Sequence, residues 1–145
     1  MSTDLYIGGA WLPSSDGSRI QVVDPATGSV FADVANGTVD DGLTAVAAAD
    51  SALPGWAARP PRERGEILRR AYELMTSRLD SLAELIVREN GKALDDARAE
   101  VRYAAEFFRW YAEEAVRALG SVQTAPAGQN RIVVLHQPEI GRAHV

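Results

Sequence analysis

The sequence predicts a mostly α-helical fold that begins with short β-hairpin strands. Residues 5–36 alternate short β-prone runs with turns rich in glycine, proline and serine. From Thr38 to Leu119, apolar residues recur at spacings of three and four, which is typical of amphipathic helices. A last β-prone run, Arg131–Pro138, predicts a closing strand.

The N-terminal strands are bounded by turn residues. Leu5–Leu12 and Arg19–Val23 are separated by Pro13–Ser18, so we expect the two runs to pair as a hairpin. Asp24–Gly28 predicts a second turn, because proline presets φ at about −65° and glycine accepts a positive φ. Ser29–Val34 is then expected to form another strand.

The helical region is divided by residues that start or stop helices. Thr38 is a suitable N-cap residue, and Pro54-Gly55 predicts the end of the first helix. Pro60-Pro61 predicts the start of the next helix, because proline is tolerated in the first turn. Asp80 is predicted to cap a shorter continuation, which Asn90-Gly91 should end because both residues accept the left-handed conformation.

The longest predicted helix covers Ala93–Leu119, and Gly120 should end it. Its apolar residues form a seam suited to packing on another helix, namely Ala97, Val101, Ala104, Phe108, Tyr111 and Ala115. Ser121–Asn130 is rich in small residues and is expected to be a loop.

Composition limits the classes of function. The net charge of −5 gives no electrostatic support for nucleic-acid binding. There is no run of about 18 consecutive apolar residues, so we expect no membrane span. The N-terminus lacks the pattern of a signal peptide, so we expect a cytoplasmic location.

The residues offer little catalytic chemistry of their own. The absence of cysteine excludes disulfides, zinc–thiolate sites and thiol nucleophiles in this chain. The twelve glycines form no G-x-G-x-x-G or P-loop pattern. We therefore predict neither a catalytic nor a cofactor-binding residue among these 145 residues.

Several local motifs occur in a fixed order along nearly the whole chain. They are Tyr6–Trp11, Asp24–Gly28, Trp56 with Arg62–Arg64, Ile67–Arg70, and Glu89–Lys92 with Glu100-Val101. In this order and spacing they resemble the N-terminal part of the NAD(P)-dependent aldehyde dehydrogenase family. Ala104–Ala115 is similar to the succinate-semialdehyde dehydrogenase branch of that family.

The resemblance implies a fold and an activity. Residues 1–138 would be the N-terminal portion of the α/β aldehyde dehydrogenase fold, with an incomplete dinucleotide-binding domain. The intact parent would oxidise a small-molecule aldehyde to the acid with NAD or NADP and would be a homo-oligomer. The family's catalytic cysteine and glutamate and its main dinucleotide contacts follow the segment present here, so this chain alone is expected to be inactive.

One family site maps onto residues of this chain. Some members bind a structural monovalent cation through backbone carbonyls just before the Pro-Ala-x-Gly turn and an acid just before the x-Gly-Lys helix end. The resemblance places those ligands at Val22, Val23 and Glu89. The alternative is that Glu89 is only a solvated acid at the end of a helix.

Two further expectations concern the limits of the chain. Residues 139–145 depart from the family pattern, and Ile140–Val145 matches the translation of a common sequencing adapter, so we expect a non-native tail. The rival interpretation of the whole chain is a stand-alone helical binding or scaffold module without catalysis. The β-prone Ile132–Leu135 argues against that module, because an unpaired apolar strand edge promotes aggregation.

Overall fold

A computed structural model of the chain describes residues 3–137. Two strand pairs precede four helices, and a third strand pair follows them. The elements are β1 (Leu5–Ile7), β2 (Ala10–Leu12), β3 (Arg19–Val23), β4 (Val30–Ala35), α1 (Val39–Ala57), α2 (Pro61–Ser77), α3 (Leu79–Asn90), α4 (Leu94–Glu114), β5 (Ser121–Thr124) and β6 (Arg131–Val134). The mostly helical fold with short hairpin strands is confirmed, and the predicted tail at 139–145 lies outside the described residues.

The first two hairpins differ from the expected pairing. β1 pairs with β2, and β3 pairs with β4, both antiparallel. The prediction that Leu5–Leu12 pairs with Arg19–Val23 is wrong, because the chain reverses inside the first run. Gly8 and Gly9 have φ of 60° and 88°, values that glycine adopts without a Cβ clash, and they form the turn between β1 and β2.

A polar cluster joins the linker between β2 and β3 to the start of α1. Asp41 Oδ2 accepts hydrogen bonds from the backbone N–H groups of Thr38 (2.8 Å) and Ser15 (3.2 Å). Thr38 Oγ1 in turn accepts from the Asp41 N–H, which completes a capping box and confirms Thr38 as the N-cap. Ser14 is buried beside this pair, with Oγ 2.6 Å from the Asn36 carbonyl oxygen.

Helix α1 does not stop at Pro54, contrary to the prediction. It continues to Ala57, and the Ala58 N–H donates to the Pro54 carbonyl at 3.0 Å. Proline has no N–H to donate to the preceding turn, but its fixed φ is helical and its carbonyl remains an acceptor. The helix therefore loses one backbone donor at Pro54 without ending there.

Helix α4 is the element on which α2 and α3 pack. Ala83 of α3 and Ala97 of α4 are fully buried, and Val101 and Ala105 of α4 are almost so. On the other side Gly65 of α2 is buried against α4. The buried apolar side chains are therefore small, and the helices approach one another closely.

Three predicted boundaries are corrected. Asp80 does not cap α3; its carboxylate accepts from Arg98 Nε at 2.8 Å instead. Helix α4 ends at Glu114, before the expected Leu119. The expected loop 121–130 contains β5, which pairs antiparallel with β6, because Val122 and Thr124 are β-prone and the turn lies only at 125–130.

Strand β6 is also shorter than expected, covering 131–134 and not 131–138, and Pro138 lies outside the described residues. Strand β6 pairs with β5 on one side only, so within residues 3–137 its other side remains an open strand edge. None of the helices within residues 3–137 has the length and apolarity that a membrane crossing requires.

We expect Gly65→Ala to lower the free energy of unfolding by roughly 1–2 kcal/mol. A Cβ on Gly65 would lie 2.8 Å from the Ala112 carbonyl oxygen, so α2 and α4 would have to separate. Gly42→Ala in α1 is the matched control, because a Cβ there meets nothing within 4 Å and alanine favours the helix. Urea unfolding followed by far-UV circular dichroism measures both. Equal stability of the two variants would contradict the close approach.

We expect Asp41→Asn to reduce stability at neutral pH but not in strong acid. The Thr38 N–H, aided by the Ser15 N–H, lowers the pKa of Asp41 from 3.8 to about 2. A lowered folded-state pKa stabilises the fold above about 3.8, and this contribution is lost as the pH falls to about 2. Melting temperatures from pH 2 to 7 should therefore converge at the acid end. Asp40→Asn in the same helical turn is the control, and its melting temperature should follow that of the wild type across this pH range. If Asp40→Asn shows the same loss of stability at neutral pH and the same convergence in acid, a specific role for Asp41 is contradicted.

Candidate cation site

The Val22 and Val23 backbone lies at the end of β3, opposite an irregularity in β4. Val22 is paired with Ala32 and Val23 with Val30, so Phe31 is the extra residue of a β-bulge. A bulge leaves one residue out of the ladder and changes the direction of its side chain. Phe31 is half-buried and contacts α3.

The C-terminus of α3 lies against this hairpin. Gly91 ends the helix with φ of 67°, which confirms the predicted role of Asn90-Gly91. A Cβ on Gly91 would lie 3.1 Å from Pro25 Cγ, so the turn after β3 packs directly on the end of the helix. The turn is fixed by its own bonds, with the Asp24 carboxylate accepting from the Ala26 N–H at 2.8 Å.

Glu89 lies between two cationic residues, Arg88 and Lys92, whose side chains contact other groups. The Arg88 guanidinium carbon lies 4.3 Å from the centroid of the Phe31 ring, within the range of a cation–π contact. Lys92 forms an ion pair with Glu100 of α4. Glu89 is exposed, and among residues 3–137 its carboxylate has no ion pair or hydrogen bond. Its oxygens are therefore available to a ligand.

The donor chemistry fits a hard monovalent cation. Two backbone carbonyls and one carboxylate supply only oxygen, which such ions prefer. The structure places Val22 and Val23 on a strand that contacts the helix carrying Glu89. Within residues 3–137, no three His, Cys, Asp or Glu side chains are grouped to hold a metal. The assignment of a cation to Val22, Val23 and Glu89 stays a prediction.

Sequence reasoning missed two residues at this junction. Arg88 is next to a predicted ligand and Phe31 is in a predicted strand, but neither pattern indicates that they touch. The contact depends on the bulge, which has no glycine at this position to mark it. The sequence shows only an aromatic residue in a predicted strand and an arginine near a predicted helix end, which does not indicate a contact.

Comparison with known proteins shows which family this chain is similar to. The model of the aldehyde dehydrogenase family matches residues 11–144. The glutarate-semialdehyde dehydrogenase of Pseudomonas putida is 42% identical over 133 residues, which cover 92% of this chain and 28% of that enzyme. The succinate-semialdehyde dehydrogenase of Paenarthrobacter nicotinovorans is 47% identical over 109 residues, which cover 75% of this chain and 24% of that enzyme.

Solved structures show the same likeness in three dimensions. An aldehyde dehydrogenase from Brucella melitensis biovar abortus matches with a TM-score of 0.89 and 39% identity, over 94% of this chain and 28% of that one. An NADP-dependent enzyme of Escherichia coli matches with a TM-score of 0.89 and 38% identity, again over 94% and 28%. The chain thus spans 24–28% of the length of these relatives and carries part of their fold. It belongs to the aldehyde dehydrogenase family.

Proposed function

We propose that the full-length protein containing this chain oxidises succinate semialdehyde to succinate with NAD or NADP. The observation that supports this proposal is the identity of 40% or more with enzymes named succinate- and glutarate-semialdehyde dehydrogenases. Both named substrates are short aldehydes that end in a carboxylate. The proposed substrate class is therefore an ω-carboxy aldehyde, with the four-carbon member first.

The chain contributes structure to that enzyme and not its reacting groups. It has no cysteine to attack an aldehyde and no glycine-rich phosphate loop. The contacts to NAD or NADP are assigned to the part of the full-length protein outside this chain. The proposed roles of this chain are the helical packing around α4 and the cation held by Val22, Val23 and Glu89.

We further propose a homo-oligomer in the cytoplasm for the full-length protein. The β5–β6 hairpin supports the first part, because Val122, Ile132 and Val134 remain exposed after the strands have paired. Apolar surface of this kind is suited to burial against another chain.

The stand-alone scaffold module is the second candidate. Strand β6 has a partner in β5, but within residues 3–137 its other edge is open, which still disfavours a stand-alone module. The family match over residues 11–144 also favours the enzyme. If the full-length protein does not oxidise aldehydes, the scaffold module becomes the preferred candidate.

The purified 145-residue chain should not oxidise aldehydes. The physical reason is the absence of a thiol nucleophile. Absorbance at the reduced nicotinamide band measures the reaction with succinate semialdehyde and either cofactor, and a heat-treated sample is the control. Turnover above that control would show that this chain carries reacting groups that its sequence does not reveal.

The full-length enzyme should prefer succinate semialdehyde over butanal, which has the same chain length without the carboxylate. A site that binds a carboxylate loses the charge-assisted hydrogen bonds when that group is absent, so kcat/KM should fall by roughly 10²-fold or more. Glutarate semialdehyde should lie between the two substrates. Equal kcat/KM for butanal and succinate semialdehyde would contradict the proposed substrate class, although not the family.

A further inference from the structure

We infer that the contact between Arg88 and Phe31 positions the cation ligands, with Gly91 and Pro25 as a second fixed point. We call these two contacts together the α3–hairpin clamp. The inference rests on the cation site proposed above. It assigns no ligand role to Arg88 or Phe31; both would act only through the backbone that carries Val22, Val23 and Glu89.

The clamp holds the proposed ligands from both sides. On the helix, Arg88 precedes Glu89 and Gly91 follows two residues later, so both contacts lie within one turn of the acid. On the hairpin, Phe31 is the bulge residue opposite Val22 and Val23, and Pro25 follows Val23 by two residues. The separation between the carboxylate and the two carbonyls is therefore set by contacts that flank all three ligands.

The first contact has the geometry of an attraction. The guanidinium carbon lies 4.3 Å from the Phe31 centroid, close enough for the positive group to interact with the ring face. The second contact depends on a missing side chain, because a Cβ on Gly91 would lie 3.1 Å from Pro25 Cγ. One contact attaches the helix end to the bulge, and the other lets it approach the turn.

The positive charge of Arg88 allows an effect on ligand position to be distinguished from a purely electrostatic effect on the cation. A positive group next to Glu89 repels a bound cation, so removing it should tighten cation binding if charge alone matters. Removing it should weaken binding if Arg88 holds the ligands in place. The two explanations predict opposite signs for the same substitution.

The experiment uses the full-length enzyme and measures melting temperature against potassium concentration. Ionic strength is held constant with tetramethylammonium, because general screening also changes stability. An ion that binds only the folded state raises stability with its concentration, so the series yields an apparent Kd for potassium. The variants are Arg88→Gln and, as the matched control, Arg102→Gln, which makes the same change of net charge at an exposed position of α4.

We expect Arg88→Gln to raise the apparent Kd for potassium by about tenfold, the lower end of the loss seen when a group that orients metal ligands is removed. Arg102→Gln should leave it unchanged. Phe31→Leu removes the ring from the other side and should act in the same direction as Arg88→Gln. It also tests the inference if the arginine variant fails to fold.

An unchanged or lower Kd in Arg88→Gln and Phe31→Leu, with a normal potassium response in the wild type, would overturn the clamp and leave the cation site standing. Glu89→Gln should abolish that response. If the wild-type enzyme itself shows no potassium-specific stabilisation, the proposed cation site is wrong and the inference is overturned with it. The substrate preference would be untouched by that result.

Discussion

Helix α4 packs closely on α2 and α3, and the residues buried most completely at these contacts are small. Gly65 faces the backbone of Ala112, and Ala83 and Ala97 are fully buried where α3 meets α4. This packing fixes the axis of α3, and the axis fixes where its C-terminus meets the β3–β4 hairpin. The junction that carries the candidate cation ligands is thus a consequence of alanine-sized contacts elsewhere in the helical layer.

The features predicted correctly from sequence are those that depend on a few adjacent residues. Thr38 caps α1 through a bond to a residue three positions later, and Gly91 ends α3 through its own backbone conformation. Such interactions are complete within one turn of chain. They do not depend on how distant elements pack, so local sequence is enough to identify them.

Strand pairing and helix continuation were harder to predict for physical reasons. By composition, Arg19–Val23 could pair with the strand-like run before it or with the one after it. Gly8 and Gly9 let the preceding run fold on itself, so Arg19–Val23 pairs with the strand that follows. Pro54 costs a helix one donor, which α1 accommodates while the following bonds are made. Ser121–Thr124 gains a partner only because β6 returns beside it.

The features of the candidate site also divide into those that the sequence indicates and those that only the structure reveals. The absence of cysteine is visible in the composition and is the basis for expecting no thiol-dependent catalysis from this chain. Val22, Val23 and Glu89 were located by family resemblance, since nothing in their residue types indicates a cation site. The contact of Phe31 with Arg88 depends on a bulge and a helix end that are 57 residues apart in sequence (88 − 31), so only the three-dimensional structure reveals it.

The distribution of tryptophan has a consequence for spectroscopy. All three indoles are exposed, with Trp11, Trp56 and Trp110 showing 54%, 38% and 63% of their surface. An indole already in water changes its emission wavelength little when the chain unfolds. Burial of these rings beneath another polypeptide surface shifts emission to the blue, because the surroundings become apolar. The emission of Trp11 and Trp110 is therefore expected to respond more to assembly with other protein surface than to folding of this chain, whereas Trp56, which is the most covered of the three, also responds to folding.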